Sequence, residues 1–104
     1  MKNKNYSGSD LSQEFKSFAR KEIKRITNVL TEKGCSDVQL HYGFYYFSGF
    51  FTAQSGQIYY ISSHDVRHFG YKELMYRTAK SYRDYTGGSN NFVQVNKLDS
   101  VKFE

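Results

Sequence analysis

The residues of this chain that could carry chemistry are three histidines, one cysteine and scattered serines and carboxylates. His64 and His68 stand four apart with Asp65 between them. On a helix that spacing turns two imidazoles toward one metal ion. A zinc site takes three or four protein ligands. His41, Cys35 and the carboxylates stand at no spacing that completes one, so the sequence predicts no metal and no cofactor. Ser62, His64 and Asp65 are the residue types of a hydrolytic relay. Near neighbours in sequence do not easily reach that geometry, and no nucleophile elbow accompanies them. The simpler role for Asp65 is to cap a turn. Gly87 and Gly88 would cradle a phosphate only in a loop that opens a helix after a strand. Here they follow a predicted helix, where Gly87 serves as its C-cap. With no acid–base pair at reactive spacing, the chain is expected not to be an enzyme and to have no catalytic residues.

The elements that must position any site are read from composition and period. A chain of 104 residues is one domain, 1–104. Its net charge of +5 and pI near 9.3 suit a polyanionic partner. Nucleic acid is one such partner, and an acidic protein groove that normally holds nucleic acid is another. No apolar run approaches the ~20 residues of a membrane span. The start, MKNKNYSGSD, leads into no hydrophobic segment, so neither a membrane partner nor a signal peptide is expected. The single cysteine, Cys35, fits a reducing cytoplasm.

Of the 10 tyrosines and 9 phenylalanines, nearly half fall between His41 and Ile61. These residue types favour half-buried strands. The stretch reads as a meander: a strand over 37–42, a second over 44–53, a turn at 54–57 using Gly56, and a third over 57–62. A helix precedes it over 10–33, capped by Ser9 or Asp10 and ended by Gly34. Leu11, Phe15, Phe18, Ala19, Ile23, Ile26, Val29 and Leu30 fall on one side of it. A second helix is predicted over 71–85, with Tyr71, Leu74, Met75, Thr78, Tyr82 and Tyr85 on one side. A fourth strand follows at 92–95. Residues 1–8 are expected as a mobile tail, and 97–104 as a short last turn or frayed end. The class is α+β, one domain in the order α-β-β-β-α(-β), with an antiparallel aromatic-rich meander packed against two helices.

Binding surfaces follow from that layout. Lys16, Arg20 and Lys24 share one side of the first helix; Arg77, Lys80 and Arg83 decorate the second. Both sets are expected to meet the partner, together with Tyr45 and Tyr59 from the aromatic meander. An aromatic sheet face among basic residues is one way to stack single-stranded bases. Core packing and a homodimer interface are the other uses of such a face.

The order α-β-β-β-α resembles the double-stranded-RNA-binding domain, with Lys72, Arg77 and Lys80 in the element that family uses for phosphates, although its lysine cluster is not reproduced. The segment Arg77-Thr78-Ala79-Lys80, then Asp84-Tyr85-Thr86-Gly87-Gly88 and Asn90, is similar to small proteins of bacterial phages and mobile elements. Ser63, Asp65 and Val66 after a tyrosine-rich strand fit the same likeness, which covers residues 35–92. Such proteins often block host defences, CRISPR effectors among them, by occupying a protein surface. The resemblance implies a non-enzymatic binding protein, working in the cytoplasm of a bacterial host, that inhibits a nucleic-acid-handling defence complex. The alternative is a module that binds RNA or DNA directly. Its affinity would fall steeply with salt.

Overall fold

Ser12 opens the long helix α1, Gln13–Glu32. The computed structural model describes residues 12–69 and 71–104, so the expected caps at Ser9 and Asp10, the tail 1–8 and Leu11 lie outside the described residues. The Ser12 hydroxyl accepts the Phe15 N–H at 3.0 Å, satisfying one of the helix's otherwise unpaired donors. The expected stripe is the buried one: Phe15, Ala19, Ile26 and Leu30 are buried, with Phe18, Ile23 and Val29 packed beside them. The helix ends where Gly34 takes φ +87°. There Cys35 N–H returns to Leu30 O and Gly34 N–H to Thr31 O, each at 3.0 Å.

Five strands follow: β1 Ser36–Tyr42, β2 Phe47–Thr52, β3 Ile58–Ser62, β4 Glu73–Ala79 and β5 Asn91–Gln94. They pair antiparallel in simple sequence order. The protein is thus an α+β single domain with an antiparallel meander, and β3 lies at the middle of the sheet. Gly56 makes the β2–β3 turn at φ +96°, as its position predicts. The β1–β2 register slips between Ser36 and Gln39, a bulge with Asp37 at φ +51°. β2 begins at Phe47, later than expected, because Tyr45 turns the chain at φ +65°.

The helix expected over 71–85 does not form. One turn, α2 Val66–Phe69, follows β3, and residues 73–79 are a strand. The period misleads because β4 is apolar on both faces. Leu74 and Met75 are both buried, so adjacent buried positions imitate helical spacing. Pairing decides the outcome: Ile58 to Ser62 present an edge that 75–79 fill residue for residue. Gly87 accordingly caps no helix.

Ile26 and Leu30 of α1 pack on Leu40, Phe47, Phe51, Ile61 and Leu74 of one sheet face. Residues 97–104, expected as a last turn or frayed end, contribute to this core. A 3-10 turn over Val95–Ser100 buries Leu98, and Phe103 meets Phe51, Tyr59 and Tyr76 at ring separations of 5.0, 5.0 and 5.3 Å. Among the described residues no helix is long and apolar enough to cross a membrane.

Gly49 lets β1 close on β2: a Cβ there would stand 1.9 Å from the Gln39 carbonyl oxygen. Gly49→Ala is expected to lower the unfolding free energy by about 1–3 kcal/mol, the cost of overpacking a close contact, as read by urea denaturation.

Candidate functional site

The sheet face turned away from α1 is built on one row of paired residues. Gln39, Phe50, Tyr60 and Arg77 stand side by side across β1 to β4. Residues 80–90, linking β4 to β5, fold back over this row as a strap. Tyr82 and Tyr85 bring their rings to 5.6 and 5.3 Å from Phe50. Tyr85 also meets Tyr60 at 5.7 Å, nearly edge on, the geometry that the charge distribution of aromatic rings favours.

Three anchors hold the strap. Tyr82 donates to the Asp37 carbonyl at 2.9 Å and pairs with the Thr52 hydroxyl at 2.7 Å, reaching across to β1; burial pushes its phenol pKa up. Arg77 lies beneath, its guanidinium 4.4 Å from the Tyr60 ring centroid, and donates to the Tyr85 backbone carbonyl. Asp84 folds the strap on itself, accepting N–H groups of Lys80, Thr86 and Gly87 at 2.8–3.0 Å. These bonds, with the Lys80 amide first, lower its carboxyl to about 2. Gly87 is required where the strap returns, since a Cβ would sit 2.1 Å from the Thr78 carbonyl oxygen.

What remains open on this face is a cleft of about 410 Å³. Tyr46, Phe50, Tyr60 and Tyr85 form its aromatic side; Gln39, His41 and Ser48 give it polar groups. Across β1 lies a second hollow of about 360 Å³, against α1, lined by Arg20, Lys24 and Ile23. His41 and Tyr42 line both, and the Arg20 guanidinium is 5.9 Å from the Tyr42 ring centroid. The basic helix side and the aromatic cleft are therefore one continuous surface.

The structure sorts the predicted binding residues into two groups. Arg20 and Lys24 are exposed on α1, Lys16 is half-buried there, and Lys80 and Arg83 are exposed on the strap. Tyr45, Tyr59 and Arg77 are buried and cannot be reached by a partner. Tyr45 packs on Phe15 at 4.9 Å. Tyr59 is sealed by Phe103, its hydroxyl donating to the Glu104 carbonyl at 2.8 Å. Arg77 is the strap's anchor, and it sits in strand β4, with Lys80 just beyond the strand's end, not on a helix. Gln39, His41, Tyr46 and Ser48 were the residues that sequence reasoning missed. Alternation in β1, with Leu40 buried between exposed Gln39 and His41, is the signal that points to two of them.

The seryl and histidyl groups have structural uses. The buried Ser63 hydroxyl accepts the Phe47 N–H at 3.0 Å and donates to the His64 carbonyl at 2.9 Å. His64 is exposed and stacks near Phe92. Asp65 accepts the Arg67 N–H at 2.9 Å, a turn cap. Among the described residues no three His, Cys, Asp or Glu side chains gather where a metal could be held. No protein-family model, curated protein or solved structure matches the chain.

Because the Asp84 carboxyl is lowered, the bonds it makes hold the strap above its ordinary value of 3.8 and are lost as pH falls toward about 2. Amide resonances of Thr86 and Gly87 should shift together across that window. Asp84→Ala should speed amide exchange in 80–88 at neutral pH while leaving β2 and β3 protected, and unchanged exchange in the strap would contradict the assignment.

Proposed function

We propose that this chain is a non-enzymatic binding protein, of the type that phages and mobile elements use, which inhibits a bacterial nucleic-acid-handling defence complex such as a CRISPR effector. The observation that carries the reading is the continuity of basic and aromatic surface at His41 and Tyr42. A complex that handles nucleic acid presents phosphate-rich strands beside protein. Exposed cations attract such a target over about a Debye length and fix its approach. The aromatic cleft then offers area whose burial holds it, as rigid tyrosines do at interfaces. The net charge of +5 argues against imitation of DNA by an acidic surface and for a grip on the nucleic acid of the complex or on an acidic protein patch.

The test is a plasmid-interference assay in bacteria carrying a CRISPR effector. Co-expression of the protein is expected to restore plasmid establishment. A triple variant, Lys16→Glu, Arg20→Glu and Lys24→Glu, should weaken effector binding at least about tenfold, since each reversal replaces an attraction with a repulsion. Full inhibition by the triple variant would remove the electrostatic part of the proposal, and interference untouched by the unaltered protein across effector types would remove the whole. A pulldown run with and without nuclease then separates a grip on protein from one that needs the strand.

A further inference from the structure

We infer that the outer-face cleft seats an unpaired nucleobase of a single-stranded nucleic acid. The inference deepens the proposed function and rests on it for the presence of a strand.

The cleft has the parts that such a ligand needs. Its volume of about 410 Å³ falls within the range of sites for small planar molecules. Tyr46 and Tyr85, 39% and 63% exposed, leave ring surface at its rim. The Tyr46 ring lies over Gly43, where a Cβ would come within 2.6 Å of it. Tyr85 is fixed by its edge contacts with Phe50 and Tyr60, and by the Arg77 bond to its carbonyl. A ring held as Tyr85 is stacks on a base with little loss of conformational freedom.

Polar groups in the same cleft suit the edge of a base. The Gln39 Nε2 already donates to Asp37 Oδ1 at 2.8 Å, leaving that amide one further N–H and its carbonyl oxygen. A donor and an acceptor on one planar amide match the paired edge groups of a base. His41 and Ser48 add to them.

Charge selects the ligand class. A proline-rich peptide also lies on tyrosine-lined grooves. Here, however, Arg20 and Lys24 lie beyond the shared Tyr42, and Lys80 and Arg83 are exposed on the strap that carries Tyr82 and Tyr85. The two carboxylates of the same region, Asp37 bonded to the Gln39 amide and Asp84 bonded to the strap's own N–H groups, keep their charge, and the four cations outnumber them. Phosphates on either side of a seated base would meet these cations, which a neutral peptide does not use.

The experiment is fluorescence anisotropy with a labelled single strand, an abasic strand of equal length and charge, and a duplex. The base-bearing strand is expected to bind roughly tenfold tighter than the abasic one. Tyr46→Ala and Tyr85→Ala, at partly exposed rings where folding tolerates truncation, should each reduce that preference while leaving the salt slope unchanged. Circular dichroism checks that both variants fold. Absence of strand binding, equal affinity for the two strands, or a preference surviving both variants overturns the inference. So does a proline-rich peptide that shifts the Tyr46 and Tyr85 ring resonances at lower concentration than the strand. If interference in cells is still blocked through the α1 cations while the cleft is blind to bases, the inhibitor reading stands and only the base seat falls.

Discussion

A sheet with one long helix has two faces to hide and a helix for only one of them. The rest of this structure follows from that shortage. α1 and the C-terminal turn close one side around Ile26, Leu30 and Leu98. The other side carries Phe50 and Tyr60 and would lie bare without the strap of residues 80–90. That strap contains no helix or strand of its own. It is held by a buried guanidinium, a phenol reaching β1 and a carboxylate bonded to nearby amides. A segment of this kind covers only part of a face, and the uncovered part is the cleft.

The same shortage explains what the sequence made legible. α1 was readable because its burial is one-sided: Phe15, Ala19, Ile26 and Leu30 recur at helical spacing, and Gly34 marks the stop. The meander was readable from aromatic density and from Gly56. The stretch 71–85 was not, because a strand buried on both faces has no alternation to show. Its Leu, Met and Tyr residues fit either period, and only the waiting edge of β3 chooses between them. The places of Lys16, Arg20 and Lys24 on α1 follow from the helix itself. Tyr45 and Tyr59 stand out in the sequence by aromatic character, but residue type alone does not say on which side of the fold a ring lies. The one-residue offset that separates Tyr59 from Tyr60 decides between core and cleft.

Tyrosine serves this protein in two ways. Tyr45 and Tyr59 are packed on every side, and each phenol finds a backbone group: Ser12 N–H for the first, Glu104 for the second. Tyr46 and Tyr85 keep open ring surface on the outer face. In the proposed binding role, such rings and charges would divide the work, since charges set the rate and direction of approach and buried ring area sets how long a partner stays.

The bulge at Asp37 has a consequence for crowded surroundings. A sheet edge normally offers a row of free amides and carbonyls on which another extended chain can add itself, the first step toward fibrous assembly. Here the slip between Ser36 and Gln39 breaks that row in β1, and its residue carries a charge. β5, at the opposite edge, is only four residues long. With both margins blunted, a visitor is met by side chains on the faces and not by backbone along the edges. A protein rich in tyrosine and phenylalanine thereby presents less unpaired backbone for its own copies to add to.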